Sequence, residues 1–270
     1  MATPVGTPPN AIALGVLQQS GIRLTFLDWV LLSLPLVLVL LAVAWVYTCA
    51  LYIPSSTHFE IDTSSRFQTS RKALAFYVVA LGTITLWMTE PLHGIASSTV
   101  GLIAVVLLLS LRIMDGEDVK SLDWPVLWLV AGGIALGAGV GHTGLDRWII
   151  ALVDWDAIPV LLVLLVLAGL AWTISNFVSS TAAANLLVPM GVGIAANVPH
   201  SAGEVALVLA LACSLGMCLP ISAPPNAIAH ATGAVPTGAM VRIGLLVGVV
   251  GLLLLSFVAP WLWALEGVLP

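Results

Sequence analysis

The sequence predicts an all-α polytopic membrane protein that contains a re-entrant helical hairpin and a broken helix. Three observations carry that reading. Of the 270 residues, 60% are hydrophobic and only 8% charged, and the mean hydropathy is +1.12; an ordinary soluble domain carries roughly 25% charged side chains. Apolar runs of about 20 residues recur along the chain, each long enough to cross a hydrocarbon core of about 30 Å. Two of these runs are interrupted by polar or proline-paired stretches, which backbone in lipid tolerates only where its freed groups find protein, water or ion partners. The net charge of −5 is scattered, so no basic groove for phosphate backbones exists and nucleic acid is excluded as a partner. Cys49, Cys213 and Cys218 have neither CxxC pairing nor nearby histidine spacing, and read as small core residues rather than zinc ligands.

The elements follow in chain order. Residues 1–26 open on Thr3-Pro4-Val5-Gly6-Thr7-Pro8-Pro9-Asn10, without the basic flank and small-residue cleavage site of a signal peptide. A span is expected from about Leu27 to Pro54, then a hydrophilic loop over 55–72 with His58, Arg66, Arg71 and Lys72. Further spans are expected at about 73–92, 95–113 and 126–145, with an acidic turn (Asp115, Glu117, Asp118) before the last of them. In that span Gly132, Gly133, Gly137, Gly139 and Gly141 offer small faces for close helix packing. From 157 to 198 the texture becomes apolar arm, polar Ser175 to Thr181, apolar arm, which predicts the re-entrant hairpin. A broken helix is expected over 205–233, interrupted at Pro220-Ile221-Ser222-Ala223-Pro224-Pro225-Asn226, and a last span over 243–265.

Basic residues near span ends set the orientation. With the 55–72 loop cytoplasmic and 157–198 re-entrant, Arg66, Arg71, Lys72, Arg112, Lys120 and Arg242 lie inside, and Arg23 and Arg147 outside. A single crossing of 157–198 would move Arg242 out, so the re-entrant reading fits the charge rule better. Tryptophans such as Trp124, Trp128, Trp148, Trp155, Trp261 and Trp263 fall near span ends and read as interfacial anchors.

The hexapeptide Pro-Pro-Asn-Ala-Ile-Ala occurs at Pro8 to Ala13 and again at Pro224 to Ala229. The chain therefore contains parts of two related units, and by the orientation argument the copies are inverted. Duplicated broken helices are how many secondary transporters build a midplane site from half-helix ends and unwound carbonyls. Nothing upstream of the first copy corresponds to Ser175 to Thr181, so the first repeat is expected to be truncated and the second largely complete.

Gly6-Thr7-Pro8-Pro9-Asn10, the Leu129 to Gly144 run with Thr143-Gly144-Leu145, Ser179-Ser180-Thr181-Ala182 ending in Leu187-Val188-Pro189, and Leu219 to Asn226 together resemble the divalent anion:sodium symporters. The likeness spans essentially the whole chain. It implies an inverted-repeat ion-transporter fold in the plasma membrane, a homodimer, and elevator-type uptake of a small divalent anion such as a dicarboxylate, citrate or sulfate, coupled to sodium ions with no organic cofactor. It implies substrate binding by Ser179, Ser180, Thr181, Pro224, Pro225 and Asn226, and cation binding by Ser175, Val178, Ser180, Ser222, Gly6 and Thr7. Two departures stand out: Ser180 replaces the asparagine of the family's Ser-Asn-Thr signature, and Ser222-Ala223 stands where Ala-Thr is frequent. A serine hydroxyl still donates to a carboxylate or ligates sodium through oxygen, but lacks the amide's simultaneous donor and acceptor.

Each candidate has a structural alternative. The polar run Ser175 to Thr181 also reads as interhelical hydrogen-bond glue, and Asn226 with its prolines as a capped helix break. Glu90 lies at a span end, where a solvated structural role is expected; His142 and His230 are isolated near span ends and expected to be structural. An intramembrane serine hydrolase needs a base beside its nucleophile, and the nearest histidine to Ser179 in sequence is His200, beyond the arm. Rival readings within transport are a proton-coupled anion carrier or antiporter, a non-transporting truncated remnant, and a half-transporter whose first repeat a separate chain supplies.

Overall fold

The computed structural model describes residues 1–52, 67–144, 148, 159–195, 198, 200–233 and 235–266, and among these every regular element is helical. Most of the expected 55–72 loop, with His58 and Arg66, lies outside the described residues, as do Arg147, Trp155 and the first residues of the expected hairpin.

Local chemistry explains where helices start and stop. Helix α1 (Pro8–Gln19) begins on the first copy of the repeated hexapeptide, with Thr7 extended at φ −149 and ψ 147. Proline is favoured there because its missing N–H has no helical partner anyway and its φ is already helical. The helix closes with a Schellman pairing, Ile22 N donating to Leu17 O at 2.9 Å and Gly21 N to Gln18 O at 3.1 Å. Gly21 takes φ 82, a left-handed value that glycine adopts without steric cost.

Helix α2 (Phe26–Tyr52) has 27 residues, about 40 Å at 1.5 Å per residue, long enough to span with tilt. Thr25 and Asp28 cap it reciprocally: Thr25 N donates to Asp28 Oδ2 at 2.7 Å and Asp28 N to Thr25 Oγ1 at 3.2 Å. Helices α3 (Arg71–Met88), α4 (Glu90–His93) and α5 (Ser97–Ser110) follow, then α6 (Gly116–Lys120) with an Asp115 capping box, and α7 (Trp124–Thr143). The expected span at 73–92 thus divides at Thr89, where Pro91 and the left-handed Gly94 turn the chain through α4.

Helices α8 (Val160–Phe177) and α9 (Ser180–Ala195) pack on each other, and α10 (Ala202–Ser214) lies against both. Helix α10 is hydrophobic all round, and Val205 to Cys213 are each at most 2% exposed, as expected of a central helix. The chain then unwinds, makes a 3-10 turn at Pro220–Ser222 and enters α11 (Pro224–Ala231). A long helix closes the chain: α12 (Thr237–Leu253), a π-helical stretch Leu254–Val258, and α13 (Ala259–Glu266).

One continuous core joins α1, α2, α8, α9, α10, α12 and α13. The α3 and α5 pair packs mainly on itself and contributes almost nothing to that core: no residue of α3 is buried. Leu74, Val78 and Leu81 of α3 and Leu102 of α5 are each more than 60% exposed, the surface expected where lipid replaces water. Among the described residues, Phe26–Tyr52, Arg71–Met88 and Thr237–Leu265 are long and apolar enough to cross a membrane.

Two tryptophans correct the sequence reading or extend it. Trp263, expected as an interfacial anchor, is 1% exposed and donates Nε1 to Leu32 O at 2.8 Å. It pins α13 to α2, because a buried indole N–H needs an acceptor. Trp29 is buried likewise, with Nε1 donating to Met1 O at 3.2 Å. Trp128, Trp148 and Trp261 are exposed, in keeping with an anchor role.

Candidate functional site: two helix breaks and a hairpin end

The two hexapeptide copies make the same local structure. Ala223 before α11 is extended at φ −157 and ψ 150, as Thr7 is before α1, and paired prolines open both helices. In each copy the asparagine reaches back to the strand that leads into its helix. Asn10 Nδ2 donates to Met1 O at 3.1 Å and Thr3 O at 2.8 Å. Asn226 Nδ2 donates to Ser222 Oγ at 2.9 Å and, more weakly, to Gly216 O at 3.4 Å. The freed carbonyls that an unwound segment creates inside a membrane are thus partly met by an amide placed three residues into the helix.

The hairpin end meets the second break. The last turn of α8 holds Ser175 and Asn176, buried at 0% and 4% exposure. Asn176 Oδ1 accepts from Cys218 N at 2.9 Å, while its Nδ2 and Ser175 Oγ both donate to Trp172 O, at 2.8 and 2.9 Å. A Cβ on Gly216 would collide with Ser175 Oγ, so only glycine lets the unwound strand pass this close to α8. Ser222, fully buried, donates to Leu219 O at 2.7 Å and holds the 3-10 turn.

The first break joins the same place. Thr7 Oγ1 and Ser214 Oγ share a hydrogen bond of 2.9 Å, linking the start of α1 to the last residue of α10. Of the residues singled out in the sequence, the structure gathers Thr7, Ser175, Ser222 and Asn226 around the strand 214–222. Gly6 sits beside Thr7 in a turn, with its N–H on Thr3 O at 3.0 Å. Pro224 and Pro225 form the first turn of α11 and are exposed.

The Ser179-Ser180-Thr181 run occupies the turn between α8 and α9 and the start of α9. Ser179 Oγ caps α9 by accepting from Ala182 N at 3.1 Å. Val178, 54% exposed, ends α8. Ser180 and Thr181 are buried at 7% and 9% exposure. No hydrogen bond joins this run to Asn226 among the described residues. The α8 C-terminus and α9 N-terminus converge here, so one turn offers carbonyls to a cation and N–H groups to an anion.

Four contributors escaped the sequence reading: Asn176, Ser214, Gly216 and the backbone of Cys218. Asn176 lay within the polar run and Ser214 interrupts an otherwise apolar stretch, two signals present in the sequence; the Cys218 N–H carries none. Asn185 is a further buried amide, whose Nδ2 donates to Leu129 O at 2.8 Å across from α9 to α7. A Cβ on Gly133 would meet this side chain, so one of the expected small faces of α7 receives a polar group. Glu90 Oε2 accepts from Phe26 N at 3.3 Å at the start of α2, a structural contact of the kind expected for it.

Comparison with known proteins identifies the family. The family described as the sodium:sulfate symporter transmembrane region matches residues 1–269. The chain belongs to this family. It is a family of membrane transporters rather than enzymes, which sets aside the hydrolase reading and makes the chain a multi-pass membrane protein. An uncharacterized transporter of Haemophilus influenzae is 29% identical over 97% of this chain and 60% of its own length. A second uncharacterized transporter, from Methanocaldococcus jannaschii, is 28% identical over 92% of this chain and 58% of its own. A sodium-dependent dicarboxylate transporter of Staphylococcus aureus is 26% identical over 96% of this chain and 55% of its own. The chain therefore spans between half and two thirds of the length of these symporter-family relatives.

Proposed function

We propose that these residues form the second-repeat side of a sodium-coupled secondary transporter for a small divalent anion, a dicarboxylate or sulfate. The observation that carries the proposal is the convergence of both Pro-Pro-Asn breaks and the hairpin end on the strand 214–222. Two inverted units, each contributing an unwound strand and a helix start, are the means by which transporters bind ions at the midplane.

In this reading the anion is held by the hydroxyls of Ser179, Ser180 and Thr181, the first N–H groups of α9, and the Pro224-Pro225-Asn226 start of α11. No Arg or Lys is needed, because half-helix N-termini carry partial positive charge. Sodium ions, hard cations that take oxygen ligands, are held by the carbonyls of Val178 and Ser222 and the hydroxyl of Ser175 or Ser180 on one side, and by Gly6 and Thr7 on the other. The body built on α1 and α8 to α13 moves as an elevator against the α3 and α5 pair, which shares little of its core. The working assembly is a homodimer in which the first-repeat hairpin is contributed by preceding sequence or by a separate chain.

The test is uptake of labelled succinate and sulfate by proteoliposomes holding the longest natural product, with sodium, proton or no gradient imposed. Sodium-driven uptake that Ser179→Ala and Asn226→Ala each reduce at least tenfold supports the proposal. Uptake driven by protons alone replaces it with a proton-coupled carrier, and absence of flux and of anion binding with a folded protein replaces it with a non-transporting remnant.

A further inference from the structure

Asn185 lies on α9, beyond the Ser179-Ser180-Thr181 run, and is 5% exposed. Its Nδ2 donates to Leu129 O of α7 at 2.8 Å. Its Oδ1 is buried too, and has no hydrogen-bond partner among the described residues. That oxygen is aimed at α7, for it is the nearest atom to the place that a Cβ on Gly133 would take. A buried amide with half of its hydrogen-bonding capacity unmet is costly in an apolar medium, and none of the roles above calls for one here.

Gly133 is the first of three glycines spaced four apart within α7, the others being Gly137 and Gly141. Residues four apart lie in one row on a helix face, inclined about 26° to the axis. With glycine at each place the row is a groove with three like notches, about 6 Å apart at about 1.5 Å per residue. Each notch has a backbone acceptor four residues before it, the carbonyl of Leu129, Gly133 or Gly137. In a regular helix such a carbonyl already takes one helical N–H, and its second lone pair is open to an amide. In the other direction the row runs through Leu129 and Pro125, which carry side chains where a notch would be. The further places therefore lie on one side only, toward the end of α7. Hydrogen bonds between membrane helices are weak because the separated partners find others, so the amide can exchange one acceptor for the next.

We infer that Asn185 is a positioning residue that sets the register of α9 on α7 in steps of one glycine, the observed register being the first of the row. The hairpin end moves with it, because Ser179 to Thr181 stand at the start of the same helix. Stops between notches are disfavoured, since there a buried N–H donor loses its acceptor. Steps of one helical turn are the size at which packed helices have discrete alternatives. The inference rests on the transport reading for the purpose of the step, and on the Asn185 contact for the step itself.

The test uses the full chain in nanodiscs, in a cysteine-free background, with nitroxide labels at Leu127→Cys and Leu186→Cys. Both positions are exposed, and pulsed dipolar spectroscopy reads the distance between them. The parent chain should give two distances that differ by no more than about 6 Å. Gly133→Ala, which pushes Asn185 out of the first notch, should shift the population toward the second distance about tenfold. Gly137→Leu, which fills the next notch, should remove the second distance, with an unchanged thermal midpoint showing that it folds. Asn185→Ala should merge the two into one broad distribution. A single distance in both the parent and Gly133→Ala, or two distances that persist in Gly137→Leu or in Asn185→Ala, would overturn the inference. Uptake measured on the same samples separates it from the transport reading. Two registers in a chain that moves no anion would keep the inference and remove that reading, whereas sodium-driven uptake by a chain with one register would do the reverse.

Discussion

Asn176 shows how much one amide does at this site. Its oxygen satisfies the Cys218 N–H in a strand that has left helical geometry, and its nitrogen is anchored on its own helix. Leucine at this position would leave a buried donor without a partner, costing about 1–3 kcal/mol. Asn176→Leu should therefore lower the thermal midpoint of the solubilised protein markedly; an unchanged midpoint would mean that the strand 214–222 is not held from α8. Ser179 acts differently. Its hydroxyl caps α9, so Ser179→Ala should cost about 1 kcal/mol through the lost cap, and any loss of anion binding much larger than that reports contact with the anion itself. Both residues lie in the polar run that the sequence picked out, yet their duties are distinct. Composition marks where polarity is concentrated in an apolar medium, but not which partner each side chain finds.

At the level of elements, the break between α10 and α11 depends on a close approach. Gly216 lets the unwound strand pass α8 where a methyl group would strike Ser175. Gly216→Ala should destabilise by about 1–3 kcal/mol, the usual cost of overpacking. Adding Ser175→Ala should recover part of that loss, because the side-chain oxygen is the nearest obstacle, and a strictly additive double mutant would show that the two do not touch. The helix starts were the most legible part of the fold. Pro-Pro opens α1 and α11, and capping residues open α2, α6 and α10, because these signals act through backbone groups within a few residues. The α8 and α9 boundary was legible for a similar reason, as a polar run inside apolar sequence. Less visible was the exit of Trp263 from the interface into the core, because its acceptor, Leu32 O, lies in another helix far away in the chain. Periodicity likewise gave no hint that α10 is the central helix, since an apolar run reads the same whether protein or lipid surrounds it.

Across the whole molecule, the arrangement of helices divides into a continuous core and an outlying α3 and α5 pair. The basic-residue rule predicts an orientation for both, with the Arg112 to Lys120 turn inside and the Thr89 to Gly94 turn outside. In a cysteine-free background, a membrane-impermeant maleimide applied to intact cells should label His93→Cys and leave Glu117→Cys unlabelled until the cells are opened. The reverse pattern would invert the topology and with it the facing of the two breaks. Composition by itself determined that this chain lives in a membrane and is helical, because lipid supplies no partner for backbone groups and few apolar architectures satisfy them internally. The repeated hexapeptide and the polar run by themselves determined that helices break, and where. Only the tertiary structure decided that the two breaks and the hairpin end meet at one strand through Thr7, Asn176, Ser214 and Asn226. Those contacts join residues up to 207 positions apart, and such pairings are fixed by how apolar helices pack together rather than by any local preference of the chain.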